Sequence, residues 1–142
     1  MATARGVNMN IEYNDIRSEF NEKMWELTEL YDGWYKTFAI QLMDELFEVL
    51  DRYVEDFEVY QIKEKFGELI VFYGWQDRDY TEQEKVELQE IDAVVEDILI
   101  KYQLLSKNTC VKCGNKATHF SDGWVLPYCD SCNHLKPAMI GE

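Results

Sequence analysis

The sequence predicts an α+β fold: two N-terminal helices, a β-hairpin, a third helix and a small cysteine-rich ribbon at the C-terminus. Three observations predict it. Apolar residues recur at helical spacing through residues 10–54 and again through 81–106. Between these stretches, residues 57–75 turn to alternating and β-branched or aromatic composition around a glycine. All four cysteines follow residue 109, after an abrupt change to Asn, Thr, Gly and Cys.

The first helix is placed from about Asn10 to Tyr31. Tyr13, Ile16, Phe20, Met24, Leu27 and Tyr31 are spaced 3, 4, 4, 3 and 4 apart, which sets them on one face. Glu12, Asp15, Glu19, Glu22, Glu26 and Glu29 form a second, acidic stripe beside it. Asp32-Gly33 is expected to end the helix, with Gly33 as a left-handed C-terminal cap. A second helix is predicted from Trp34 to Val54, with Tyr35, Phe38, Leu42, Leu46, Leu50 and Tyr53 or Val54 inward. Asp44, Glu48, Asp51 and Glu55 stack along its side.

Phe57–Lys63 and Glu68–Trp75 then read as the two strands of a hairpin turning at Gly67. Phe57 and Val59 fall on one face and Tyr60 and Ile62 on the other, so both faces are expected to be partly covered. Thr81 and Glu84 form a capping box for the third helix, whose buried face is expected to carry Ile91, Val94, Val95, Ile98, Tyr102 and Leu105. The best boundary in the chain lies after this helix. It divides an acidic domain, residues 1–107, from a ribbon, residues 108–142. Met9 can serve as the natural start, leaving residues 1–8 as a loose tail or an appended remnant.

The charge is uneven. Twenty-eight acidic and fourteen basic residues give −14, and residues 1–107 account for all of it with 25 acidic and 11 basic side chains. A surface this negative repels phosphate, so direct nucleic-acid binding by the acidic part is not expected. A basic protein partner is attracted instead, and the ten stacked carboxylates named above are the candidate contacts. The longest apolar run, ELIVFYGW, is far short of the roughly 20 residues of a membrane span. With no basic-then-apolar leader at residues 1–10, the expectation is a soluble cytosolic protein.

Cys110-x-x-Cys113 and Cys129-x-x-Cys132 are separated by fifteen residues. Thiolates two apart on a tight turn point at one ion, and two such turns supply the four soft donors that tetrahedral Zn²⁺ prefers. Gly114 allows the sharp turn, and Trp124, Val125 and Leu126 can cover the ion. Disulfides require an oxidising compartment that nothing here indicates, whereas an iron–sulfur cluster uses the same ligand type. Four thiolates leave no open coordination position, so the expected role is structural. His119 and His134 are read as surface groups or groups beside the ligands.

Further residues support a resemblance. Lys63-Glu64-Lys65-Phe66-Gly67-Glu68-Leu69 runs into Phe72-Tyr73 and is followed by a helix. Thr109-Cys110-x-x-Cys113-Gly114, Gly123-Trp124 and Cys129-Asp130-x-Cys132 follow, with Gly33-Trp34 upstream. Over roughly residues 33–132 the chain resembles a family of small, functionally uncharacterised proteins common in phages and prophages. Members usually carry Gly-Leu-Arg after the Phe-Gly turn, where this chain has Glu68-Leu69-Ile70. The resemblance implies a phage setting and action in the cytoplasm of a bacterial host. It supplies no catalytic residues.

No phosphate loop, nucleophile elbow or H-E-x-x-H motif occurs, and both histidines lie in or beside the ribbon. The chain is therefore read as a non-enzymatic binding protein. Its expected partner is a basic host protein, such as a nuclease or defence effector, whose nucleic-acid groove an acidic rod would occupy. The alternative is a nucleic-acid-associated zinc module using Lys112, Lys116, Lys136, Trp124 and Tyr128. Twenty aromatic residues also permit a homodimer.

Overall fold

A computed structural model describes residues 9–120 and 126–133, with side chains from Tyr13 onward. It is α+β, as the periodicity predicts, although the helices are divided differently. The first runs as α1 (Met9–Lys23) and, after a turn at Met24, as the short α2 (Trp25–Thr28). Phe20, Met24 and Leu27 are buried, while Tyr13 is 41% exposed. At the break Met24 N–H is shared between Phe20 O at 3.2 Å and Asn21 O at 3.1 Å, and Leu27 and Glu29 N–H donate three residues back. Lys23 ties this end of α1 to the carbonyls of Val54, Glu55 and Phe57 at 3.1, 3.3 and 2.6 Å.

Asp32-Gly33 does not end a helix. It opens the next one: α3 (Asp32–Trp34) runs on through a π-helical stretch (Tyr35–Ala39) into α4 (Ile40–Leu50), followed by a 3₁₀ segment (Asp51–Asp56). Gly33 lacks the positive φ of a left-handed cap and is small for a different reason, described below. Trp34, Phe38, Leu42, Leu46 and Leu50 are buried. Tyr35 is 40% exposed, because the wide π turn rotates it out of the apolar stripe.

Strands β1 (Phe57–Lys65) and β2 (Glu68–Trp75) pair antiparallel, with Lys65 opposite Glu68. Phe66 and Gly67 make the two-residue turn with φ of 54° and 82°, the double positive φ of a type I′ hairpin. A bulge between Val59 and Gln61 corrects the expected facing of β1. The extra residue resets the alternation, so Phe57, Val59 and Ile62 all turn inward and Tyr60 is 64% exposed. One face of the ribbon is thus core and the other solvent. Side chains tie down its backbone: Ile62 N–H donates to Glu26 Oε1 at 3.0 Å and Leu69 N–H to Ser106 Oγ at 2.8 Å.

The capping box of α5 (Glu82–Lys107) forms as predicted, with both reciprocal bonds between Thr81 and Glu84 present. Val95, Ile98 and Tyr102 are buried, and Leu88 and Ser106 join them. Val94 and Leu105 instead face solvent at 43% and 40% exposure, since each falls one residue off the inward 88–95–98–102–106 line. Helix α5 packs on α4 and β2. The resulting core is continuous from Phe20 and Phe57 through Trp34 and Tyr102 to the cysteines and Tyr128. Among the described residues no helix is long and apolar enough to cross a membrane.

Candidate metal centre

The chain leaves α5 under tight control. Asn108 and Thr109 side chains donate to the carbonyls of Leu104 and Leu105 at 3.1 and 2.7 Å, closing the helix end. A narrow loop follows, with Cys110 N–H donating to Asn115 O at 2.7 Å and Gly114 N–H to Cys110 O at 3.0 Å. Gly114 takes φ +87°, a conformation that favours glycine. This turn brings Cys110 and Cys113 together. The second pair sits on a similar turn, closed by Cys132 N–H to Cys129 O at 3.2 Å. Two short strands join the halves: β3 (His119–Phe120) pairs with β4 (Pro127–Tyr128), and Val111 N–H donates to Pro127 O at 3.1 Å.

All four Sγ atoms lie within 4.8 Å of one another. A tetrahedral ion with bonds of about 2.3 Å sets its sulfurs about 3.8 Å apart. The four cysteines therefore form a site compatible with zinc after shifts of about 1 Å or less, the widest pairs closing and the Cys113–Cys129 pair, 3.4 Å apart, opening slightly. They are free thiols, three of them buried. Burial opposes the Cys110 thiolate, but hydrogen bonds from the backbone amides of Cys113, Cys129 and Lys112 outweigh it and draw the thiol down to about 6. Cys132 is pushed up to about 12, by burial and then by its sulfur neighbours. A cluster in which one thiolate forms readily and the next is resisted is matched to a cation, which lets all four ionise together.

The site is seated directly on the helical layer. A Cβ at Gly33 would come within 2.0 Å of Cys110 O, 2.7 Å of Val111 C and 2.8 Å of Gly114 N. Gly33 N–H donates to Val111 O at 2.8 Å, and buried Trp34 Nε1–H donates to Thr109 O at 3.0 Å. Thr37 Oγ1 reaches Gly114 O at 3.3 Å. Periodicity assigned none of these three roles. The adjacent Gly33-Trp34 in the resemblance pattern was the available signal.

The other expected site residues separate into groups. His119 Nε2 lies 2.7 Å from Asp130 Oδ1, an oxygen that also accepts from Thr118 Oγ1 at 2.6 Å. Tyr128 is 2% exposed and has no free ring face, which removes it from the alternative contact surface. Trp124, Val125, His134 and Lys136 lie outside the described residues, as does the Glu12 side chain. Asp15, Glu19, Glu22 and Glu29 are exposed on α1 and just beyond α2, whereas half-buried Glu26 serves the hairpin. Asp44 pairs with Arg17 at 2.6 Å. Glu48, Asp51 and Glu55 are exposed. Asp44, Glu48 and Asp51, with Tyr13, Arg17 and Phe47, line an open depression of about 560 Å³.

Comparison with family models, with curated proteins and with solved structures found no match.

Proposed function

We propose that this chain is a zinc protein that acts by binding rather than by catalysis, with one Zn²⁺ held by Cys110, Cys113, Cys129 and Cys132 as a structural staple. The observation that carries this reading is the convergence of four sulfurs on turns that rest on Gly33 and Trp34. Four thiolate donors complete a tetrahedron and leave no place for substrate. The partner is a basic protein of a bacterial host, in keeping with the phage resemblance, and a nuclease or defence effector fits it.

Two observations support such a partner. One is the charge of −14. The other is the depression on α1 and α4, where a guanidinium is already accommodated. Arg17 lies 4.9 Å from the Phe47 ring centroid while pairing with Asp44, and the same rim carries Glu48, Asp51 and Glu45, the last engaged by Lys101 and Tyr102.

Native mass spectrometry is expected to find one zinc per chain. A pull-down from host lysate at low salt is expected to recover a basic protein that elutes as salt rises. Recovery should fall when Asp44, Glu48 and Asp51 are changed together to amides. Zinc-loaded protein that captures nothing across several hosts would sink the partner reading and leave the zinc reading standing. Exposed Val86, Val94, Ile100 and Leu104 along α5 favour a second reading, a homodimer. A sedimentation mass of 16.9 kDa would remove it.

A further inference from the structure

The acidic surplus suggests a surface in which every cation has a carboxylate beside it. Arg17, Arg52, Arg78, Lys85, Lys101 and Lys107 follow that rule. Lys23, Lys36, Lys63, Lys65, Lys112 and Lys116 do not, and of these Lys63 and Lys65 are the pair set beside exposed rings. They stand on the solvent side of the hairpin, with no ion pair among the described residues, and each lies over an aromatic ring: Lys63 Nζ is 5.5 Å from the Phe72 centroid and Lys65 Nζ 5.8 Å from that of Phe66. Both rings are exposed, Phe72 at 45% and Phe66 at 69%. The third ring is Tyr60, which the bulge places outside. It lies across Gly74, so close that a Cβ there would fall 2.1 Å from its hydroxyl oxygen. Gly74 thus leaves room for Tyr60 to lie flat on the ribbon.

The turn departs from its own local chemistry. Both central positions of a type I′ turn require positive φ, and Asn or Asp is favoured at the first. Here Phe66 takes φ 54°, although it contributes no ring to the core. A bulky residue held in the left-handed region at a solvent-exposed tip is a local rule broken without a packing return.

We infer that the outer face and tip of the hairpin bind single-stranded nucleic acid, with bases stacking on Tyr60, Phe72 and Phe66 and phosphates meeting Lys63 and Lys65. Flat π faces interleaved with unpaired cations are the two elements that a single strand requires. The Tyr60–Gly74 platform and Phe72 are two residues apart along β2, about 7 Å, the rise of two stacked bases. The acidic helices oppose long-range approach. At 0.1 M salt the screening length is about 10 Å, which mutes the carboxylates of the helices. Of the nearer ones, Glu68 opposite Lys65 is engaged by Gln103 and Lys107, and exposed Glu58 opposite Gly74 opposes phosphate at that end of the face.

The test uses zinc-loaded full-length protein and fluorescence anisotropy of a labelled 15-nucleotide oligothymidylate at about 0.1 M salt. Binding is expected, and a duplex of the same length should bind less tightly. Phe72→Leu keeps apolar bulk but loses the π face and should weaken binding by about 5-fold or more, while Phe72→Tyr should retain it. Lys63→Gln with Lys65→Gln should abolish the signal. Phe66→Asn should unfold at higher urea than the parent yet bind less well, an outcome that a merely structural role does not give. No anisotropy change with natively folded protein would overturn the inference. So would equal competition by polyglutamate, which would mark the face as a dock for acidic peptide, or unchanged binding by Phe72→Leu.

Discussion

Gly33→Ala separates two accounts of the same glycine by the sign of its effect. Gly33 lies in a helix and lacks a positive φ, so alanine is locally compatible there. On helix propensity alone the change should stabilise by about 0.5–1 kcal/mol. The packing says otherwise. The new methyl would sit 2.0 Å from Cys110 O, where contacts shorter than 3.0 Å are essentially never observed. Val111 C and Gly114 N lie within 2.8 Å on the same loop, so no side chain can swing aside. The whole loop must withdraw by about 1 Å, costing the roughly 1–3 kcal/mol of an overpacked core. With three backbone atoms involved the upper end applies, and the net loss after the helical gain is about 2 kcal/mol.

That loss should divide between fold stability and metal affinity, because the atoms displaced belong to the loop that carries two ligands. If the penalty falls wholly on the metal-bound, docked form, zinc affinity drops about 30-fold at 1.4 kcal/mol per tenfold. Urea unfolding followed by circular dichroism measures the first quantity, and competition with a chromophoric chelator measures the second. Alanine at position 33 with parental or greater stability and unchanged zinc affinity would refute the docking of the cysteine loop on α3.

Three further outcomes are expected. Cys110→Ser should lose the zinc while keeping most of the helical circular dichroism signal; undiminished zinc by elemental analysis would show the ligand assignment to be wrong. Trp34→Phe keeps the ring in the core but strands Thr109 O, which should cost about 1–3 kcal/mol in urea, and a loss near zero would mean that the carbonyl is satisfied elsewhere. The amide of Thr81 holds the Glu84 carboxyl below its ordinary value of 4.5, against burial and with help from Arg78. The folded chain therefore takes up that proton less readily than the unfolded one, so the stabilisation is present above pH 4.5 and fades as pH falls through the lower folded value. Glu84→Gln keeps a capping partner without the charge. Its melting temperature should lie below the parent's at neutral pH and converge with it in acid, and a constant offset would contradict the linkage.

How much of this was legible in the sequence depends on whether each feature is local. The capping box, the Phe66-Gly67 turn and the paired cysteines are set by residues within a few positions of one another, and all three appear where the sequence puts them. The failures are tertiary. A periodic apolar stripe continues through Met24, so nothing in it announces the turn there or that Lys23 will reach carbonyls 31 to 34 residues away. The bulge at Tyr60 reverses the facing of half a strand, and alternation alone cannot locate an extra residue. Gly33 departs from its expected role for the same reason. A glycine after a helical stripe is most often a cap, and only the distant cysteine loop reveals that it is a contact.

The two surfaces differ in the same way. Acidic stripes could be counted in the sequence, yet the fold withdraws Glu26 to hold Ile62 and pairs Asp44 with Arg17, so the continuous rod of carboxylates becomes a shorter set around one depression. The hairpin tip is placed in the sequence by Gly67 alone, and the departure at Phe66 shows only once its positive φ is known. What sets it apart is relational: two lysines without an ion pair set over exposed rings, with Tyr60 left outside by a bulge and Phe66 by a strained turn. Counting charge describes the average surface of this protein, whereas its contacts depend on where the fold departs from that average.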